Sequence, residues 1–135
     1  MGRTERGITA YRTAILTTPP RHAVVMLYDG IMVRTRRAAE AARAGDYETQ
    51  FNEVLSAAKI IDGLNRCLDM EQGGQVAVSL RAMYEAVSKA LLRSTGKRNG
   101  AEILDGLVEA VRLTRDAWAE IAGVPASEPS RRIRN

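Results

Sequence analysis

Few residues of this 135-residue chain could do chemistry. Its single histidine is His22 and its single cysteine is Cys67. A di-metal carboxylate centre in a helical protein needs Glu-x-x-His on two helices, and no Glu here precedes a His by three. Thr95-Gly96-Lys97 imitates the end of a phosphate-binding loop. It fails the pattern, because Arg98 stands where Ser or Thr is needed, Leu91 where the first Gly is needed, and no strand precedes it. Cys67 has no base beside it and reads as a small, semi-buried residue at a helix end. Asp69 and Glu71 could be imagined as an acid and a base, but carboxylates at a helix–loop junction are more often solvated or cap the next helix. Arg34, Arg36, Arg37 and Arg43 could form an anion or RNA patch. A solvated face that complements the helix dipole is the preferred reading. The expectation is a protein without catalytic groups, metal or cofactor.

Charge points the same way. Residues 1–18 carry Arg3, Arg6 and Arg12 against Glu5, and residues 123–135 carry Arg131, Arg132 and Arg134 against Glu128. These two ends account for the whole formal charge of +4, so the body between them is neutral. A groove-reading nucleic-acid binder places its charge on the folded body. No apolar run approaches the roughly 18 residues of a membrane span. The N-terminus, MGRTERGITAYR, lacks the apolar core of a signal peptide. With one cysteine and no internal disulfide, a soluble, cytoplasmic protein is expected.

The elements that would position any site are helical. The chain is rich in Ala, Leu, Glu and Arg, with one Phe and one Trp. Asp29-Gly30 between apolar residues is a hairpin signal. The segment that follows, IMVRTRRAAEAARAG, does not alternate as a strand should. Val24, Leu27, Ile31, Ala38 and Ala42 recur at helical steps. A first helix therefore runs from Pro20 to the stop at Gly45, with Gly30 inside it at a cost of about 1 kcal/mol relative to Ala. A glycine in such a place usually admits a close neighbour. A second helix starts at Asp46 as N-cap, carries Phe51, Val54, Ala58, Ile61, Leu64 and Leu68, and ends before the Gly73-Gly74 turn. A third carries Val76, Leu80, Met83, Tyr84, Val87 and Leu91 and stops at STGKRNG. Asn99 and Glu102 have capping-box spacing for a fourth, which carries Leu104, Leu107, Val111 and Trp118. Short connections between long helices imply an antiparallel up-down four-helix bundle over residues 19–122. Residues 1–18 form an N-terminal arm and 123–135 a mobile basic tail.

Two features are unusual for a plain bundle. Asn65 interrupts an apolar stripe, and a buried amide left unpaired costs about 1–3 kcal/mol. Tyr11 stands in the arm among Ile8, Ile15 and Leu16. An arm that docks on the bundle needs such anchors, and one tyrosine buries about 150–250 Å².

AYR at 10–12, MLYDG at 26–30, AGDY at 44–47, LNRCLDMEQGG at 64–74 and the late Trp118 occur in an order that resembles the flagellar export chaperone family FliS. The resemblance covers roughly residues 8–122. It implies a helical bundle without enzyme activity that binds newly made flagellin in the cytoplasm. It further implies that the bundle covers flagellin's C-terminal segment, prevents premature polymerisation and assists delivery to the flagellar type III export gate. By its place in AYR, Tyr11 matches a tyrosine of the family's arm, which lies over the binding surface until client displaces it.

The expected partner-binding residues are Ile8, Tyr11 and Leu16 of the arm, Leu27, Tyr28 and Ile31 of the first helix, and Asn65, Leu68 and Tyr84. An amphipathic client needs a long apolar groove between helices, and an empty groove needs a shield. Each of the last six residues could equally be bundle core. The empty form is left open as a monomer or a homodimer. The alternative is a small helical nucleic-acid or regulatory module that uses the arginine-rich ends.

Overall fold

The computed structural model describes residues 21–126, which form four helices. Helix α1 spans Arg21–Arg43, α2 Tyr47–Arg66, α3 Met70–Ser94 and α4 Gly100–Ala122. The fold is all-α, with no strand among the described residues. The expected arm, with Ile8, Tyr11 and Leu16, and most of the basic tail lie outside the described residues.

Asp29-Gly30 sits within an unbroken α1. A methyl group at Gly30 would lie 3.4 Å from the Ile60 side chain, so the close neighbour is α2. Helix α1 buries a broad face, with Val24, Val25, Tyr28, Ile31, Met32, Ala38 and Ala39 all inaccessible. Small residues late in α1 let its neighbours approach, and α1 packs most closely against α4 and α2. Thr35 is buried on this face, and its hydroxyl donates to the Ile31 carbonyl at 2.7 Å. Arg34 pairs with Glu53 and Gly30 meets Ile60, while Arg43 pairs with Asp105 and Asp29 with Arg115. Along each of these two interfaces the partner numbers fall as the α1 numbers rise.

The helix ends follow local chemistry. Gly45, at φ 75°, turns the chain after α1. Asp46 then caps α2 by accepting from the Thr49 amide at 3.1 Å. Helix α2 does not run on to Gly73, as the apolar stripe predicts. It ends at Arg66, because Asp69 accepts from the amides of Glu71 and Gln72, at 3.1 and 2.9 Å, and starts a new helix. The glycine pair does redirect the chain, but within α3. Gly74 has φ 55° and ψ −137°, a conformation that side chains resist, and it kinks the helix after its first turn. The expected capping box of α4 does not form. At φ −98° and ψ 28° the Asn99 backbone is neither helical nor in the extended conformation typical of an N-cap, and its side chain makes no cap bond. Gly123, at φ 74°, closes α4.

Helix α3 packs against α2 and α4 less closely than α1 does. Its buried line is Ala77, Tyr84, Val87, Leu91 and Ser94. The Tyr84 hydroxyl meets that of Tyr28 across the core at 2.5 Å.

Candidate functional site

At the end of the bundle where α1 begins, α2 ends, α3 begins and α4 ends, the four helices enclose an apolar cavity of about 220 Å³. Val24, Leu64, Leu68, Leu80, Tyr84 and Trp118 form its walls. The kink in α3 shapes its rim, where Gln72, Gly73 and Val76 lie. Gly73 contributes no side chain there, and a methyl group at that position would come within 2.7 Å of the Ala77 methyl. Val76 is 65% exposed at the mouth, so the cavity opens to solvent. A volume of this size takes one large apolar side chain or a few small ones, and its walls offer nothing charged to a ligand.

Tyr84 lies at the back of the cavity. Burial raises its phenol pKa above the ordinary value, while the bond to Tyr28 pulls it down. Both rings are buried and tilted by 37° at a centroid distance of 6.3 Å. The pair ties α1 to α3 across the core and keeps their hydroxyls satisfied away from water.

The expected site residues divide. Leu68 and Tyr84 come together in the cavity. Tyr28 supports Tyr84 from behind. Ile31 is 1% exposed and belongs to the core. Leu27 is 38% exposed on α1 and does not line the cavity. Asn65 lies in a neighbouring cleft between α2 and α3, where its carbonyl oxygen accepts from Arg81 Nε at 3.2 Å. The amide that interrupts the stripe is therefore paired within the chain.

Val24, Leu64, Leu80 and Trp118 were legible as apolar stripe positions, but nothing in their spacing separates a cavity wall from a core contact. Arg115 was missed altogether. Its guanidinium grips Asp29 of the MLYDG segment through two nitrogens and also donates to Asp116 and to the Pro125 carbonyl. The bond to Asp29 leads the effects that raise its pKa above the usual arginine value.

The residues that raised chemical alternatives are placed plainly. His22 is exposed and Cys67 is half-buried at the C-cap of α2. Asp69 is a helix cap. Of the arginine-rich end of α1, Arg34 and Arg43 are engaged by Glu53 and Asp105. No cluster of three potential metal ligands occurs among the described residues. No helix among them is long and apolar enough to cross a membrane.

The sequence is similar to those of known proteins. The profile of the family described as flagellar protein FliS matches residues 7–125. A flagellar secretion chaperone FliS of Salmonella typhimurium is 29% identical over 95% of this chain and 98% of its own length. The protein of the same name from Bacillus subtilis is 30% identical over 83% of each chain. That of Vibrio cholerae is 29% identical over 76% of this chain and 74% of its own. With the family profile spanning the whole four-helix unit and its cavity, the chain belongs to the FliS family of flagellar proteins.

Proposed function

We propose that this protein is a cytoplasmic secretion chaperone that binds the C-terminal segment of flagellin. In this reading it prevents premature polymerisation and assists delivery of the subunit to the flagellar type III export apparatus. The relatives' shared name, flagellar secretion chaperone, supports the reading. The observation that carries it is the open apolar cavity walled by Leu64, Leu68, Tyr84 and Trp118. A helix that docks in a groove uses a few apolar anchors at helical spacing, and the cavity fits one such anchor. Leu27 and Val76, both exposed, extend the apolar surface for the rest of the client segment. Tyr28 and Ile31 act from the core by holding the wall in place. The protein works by binding and performs no reaction.

The arm acts as a tethered shield. It joins α1 at Arg21, one turn before Val24 of the cavity. The ten residue steps from Tyr11 to Arg21 span up to about 33 Å, enough to bring Tyr11, Ile8 or Leu16 to the mouth. A tethered competitor has a high effective concentration, so client binding must displace it.

Calorimetry with a flagellin C-terminal peptide of about 40–50 residues, long enough for two helices, tests the reading. The expected result is one-to-one binding with a large negative heat-capacity change, the mark of a chain that folds onto an apolar surface. Removal of residues 1–18 should raise the affinity. Absence of binding by both the full-length and the shortened protein would overturn the flagellin reading. Loss of binding on shortening alone would make the arm part of the site instead of its shield.

A further inference from the structure

A second cleft lies along the outer side of α3, toward the start of α4, and it is unrelated to the cavity. Its volume is about 530 Å³. Ala82, Ala86 and Ala90, one turn apart on α3, and Ile103 of α4 line it. Three alanines in a row are too small to fill the space beside a neighbouring helix, and they let a third helix bring its backbone near. Lys89 and Arg93 on α3 and Lys97 in the following loop stand along it, with Glu85 as the one carboxylate, toward its other end. Lys89, Arg93 and Lys97 are exposed and take part in no ion pair among the described residues, whereas Arg34, Arg43, Arg112 and Arg115 all do. Arg98 adds a further exposed cation beside Lys97.

We infer that this cleft is a docking groove for an acidic amphipathic helix of a partner protein. The twelve residues from Ala82 to Arg93 present about 17 Å of trough, three helical turns. An incoming helix lays small apolar residues on the alanines. Its carboxylates, which helices favour in their first turn, meet Arg93 and Lys97. Its later turns, neutral or basic, pass Glu85. The alanine floor supplies the area and the cations supply direction and partner choice. The site is independent of the flagellin reading, because it shares no residue with the cavity.

Fluorescence anisotropy tests this with the full-length protein and a labelled 18-residue helical probe. The probe carries Ala and Leu at i, i+3, i+4 and i+7 and Glu through its first two turns. A twin carries Lys at the Glu positions. The acidic probe should bind at least tenfold tighter than its twin. Arg93→Glu with Lys97→Glu, and separately Ala86→Leu, should each weaken it tenfold or more. Both variants should keep an unchanged helical circular dichroism spectrum and unchanged affinity for the flagellin peptide. Equal binding of the two probes, or no binding of the acidic one, would overturn the inference. So would full retention of the acidic probe by either variant. Displacement of the probe by a twelve-nucleotide oligouridine at equal concentration, with Ala86→Leu without effect on the probe, would overturn it in favour of a polyanion site.

Discussion

Asp29 and Arg115 are 86 residues apart in sequence and share a two-point ion pair, Nε to Oδ1 at 2.8 Å and Nη2 to Oδ2 at 3.3 Å. The arginine side chain is only 9% exposed and the aspartate 44%. The pair locks α1 to α4, and the same guanidinium holds the chain after α4 through the Pro125 carbonyl. Asp29 is the aspartate of the MLYDG segment, so a residue that reads as a hairpin signal serves as an interhelical clamp.

Asp29→Ala should destabilise the protein by about 1–2 kcal/mol, a value discounted for the aspartate's solvent exposure. Arg115→Ala should cost more, because it also removes packing by the buried stem and the bond to Pro125. Urea denaturation of both variants and the double mutant measures the coupling. Additive losses would show that the pair contributes nothing as a pair.

Gly100→Ala should be among the costlier glycine replacements. A methyl group there would sit 2.6 Å from the Ser94 carbonyl oxygen, a backbone atom that cannot swing aside. A loss of about 1–3 kcal/mol is expected from the forced shift. Gly30→Ala, whose methyl would meet only the flexible end of Ile60 at 3.4 Å, should be neutral or stabilising by up to about 1 kcal/mol. Thermal denaturation of the two variants side by side checks the ordering.

Tyr84 sets an alkaline limit. Its pKa is raised in the folded protein above the ordinary tyrosine value of 10.0, chiefly by burial, so the folded state holds this proton more tightly than the unfolded chain. Its contribution is fully present below about pH 10 and is lost as pH rises through the folded pKa. Tyr84→Phe should flatten this part of the stability–pH curve. An unchanged slope above pH 10 in the variant would assign the effect to other groups.

Asp46 works in the opposite sense. The bonds from Thr49, side chain and then backbone, lower its pKa below 3.8. The stabilisation is present above that value and disappears as pH falls through the folded pKa. Asp46→Asn keeps a good cap without a titrating group. Melting temperatures of variant and parent should agree near neutrality, and the variant should lose less as pH falls below 3.8.

Val76→Trp should plug the mouth of the cavity without disturbing the core, since Val76 is mostly exposed. The flagellin peptide should then bind at least tenfold more weakly, with the helical spectrum intact. Unaltered binding would place the client elsewhere on the bundle.

The four helices, the Asp46 cap and the family could be read from the sequence alone, because helix formation leaves a 3.6-residue apolar period and caps depend on near neighbours. The spacing of MLYDG, LNRCLDMEQGG and Trp118 carried the family. Helix ends were less legible. Asp69 capped a new helix four residues before Gly73, while Asn99 had the spacing of a capping box without the backbone angles to use it. Tertiary structure alone decided which stripe residues face one another. Tyr28, Ile31, Leu68 and Tyr84 follow the same period, yet Ile31 is sealed in the core while Leu68 and Tyr84 wall a cavity. Periodicity marks the side of a helix that avoids water but not the distance to the next helix. That distance comes from every side chain packed between them, and here it closed α1 onto α2 and α4 while leaving open space beside α3.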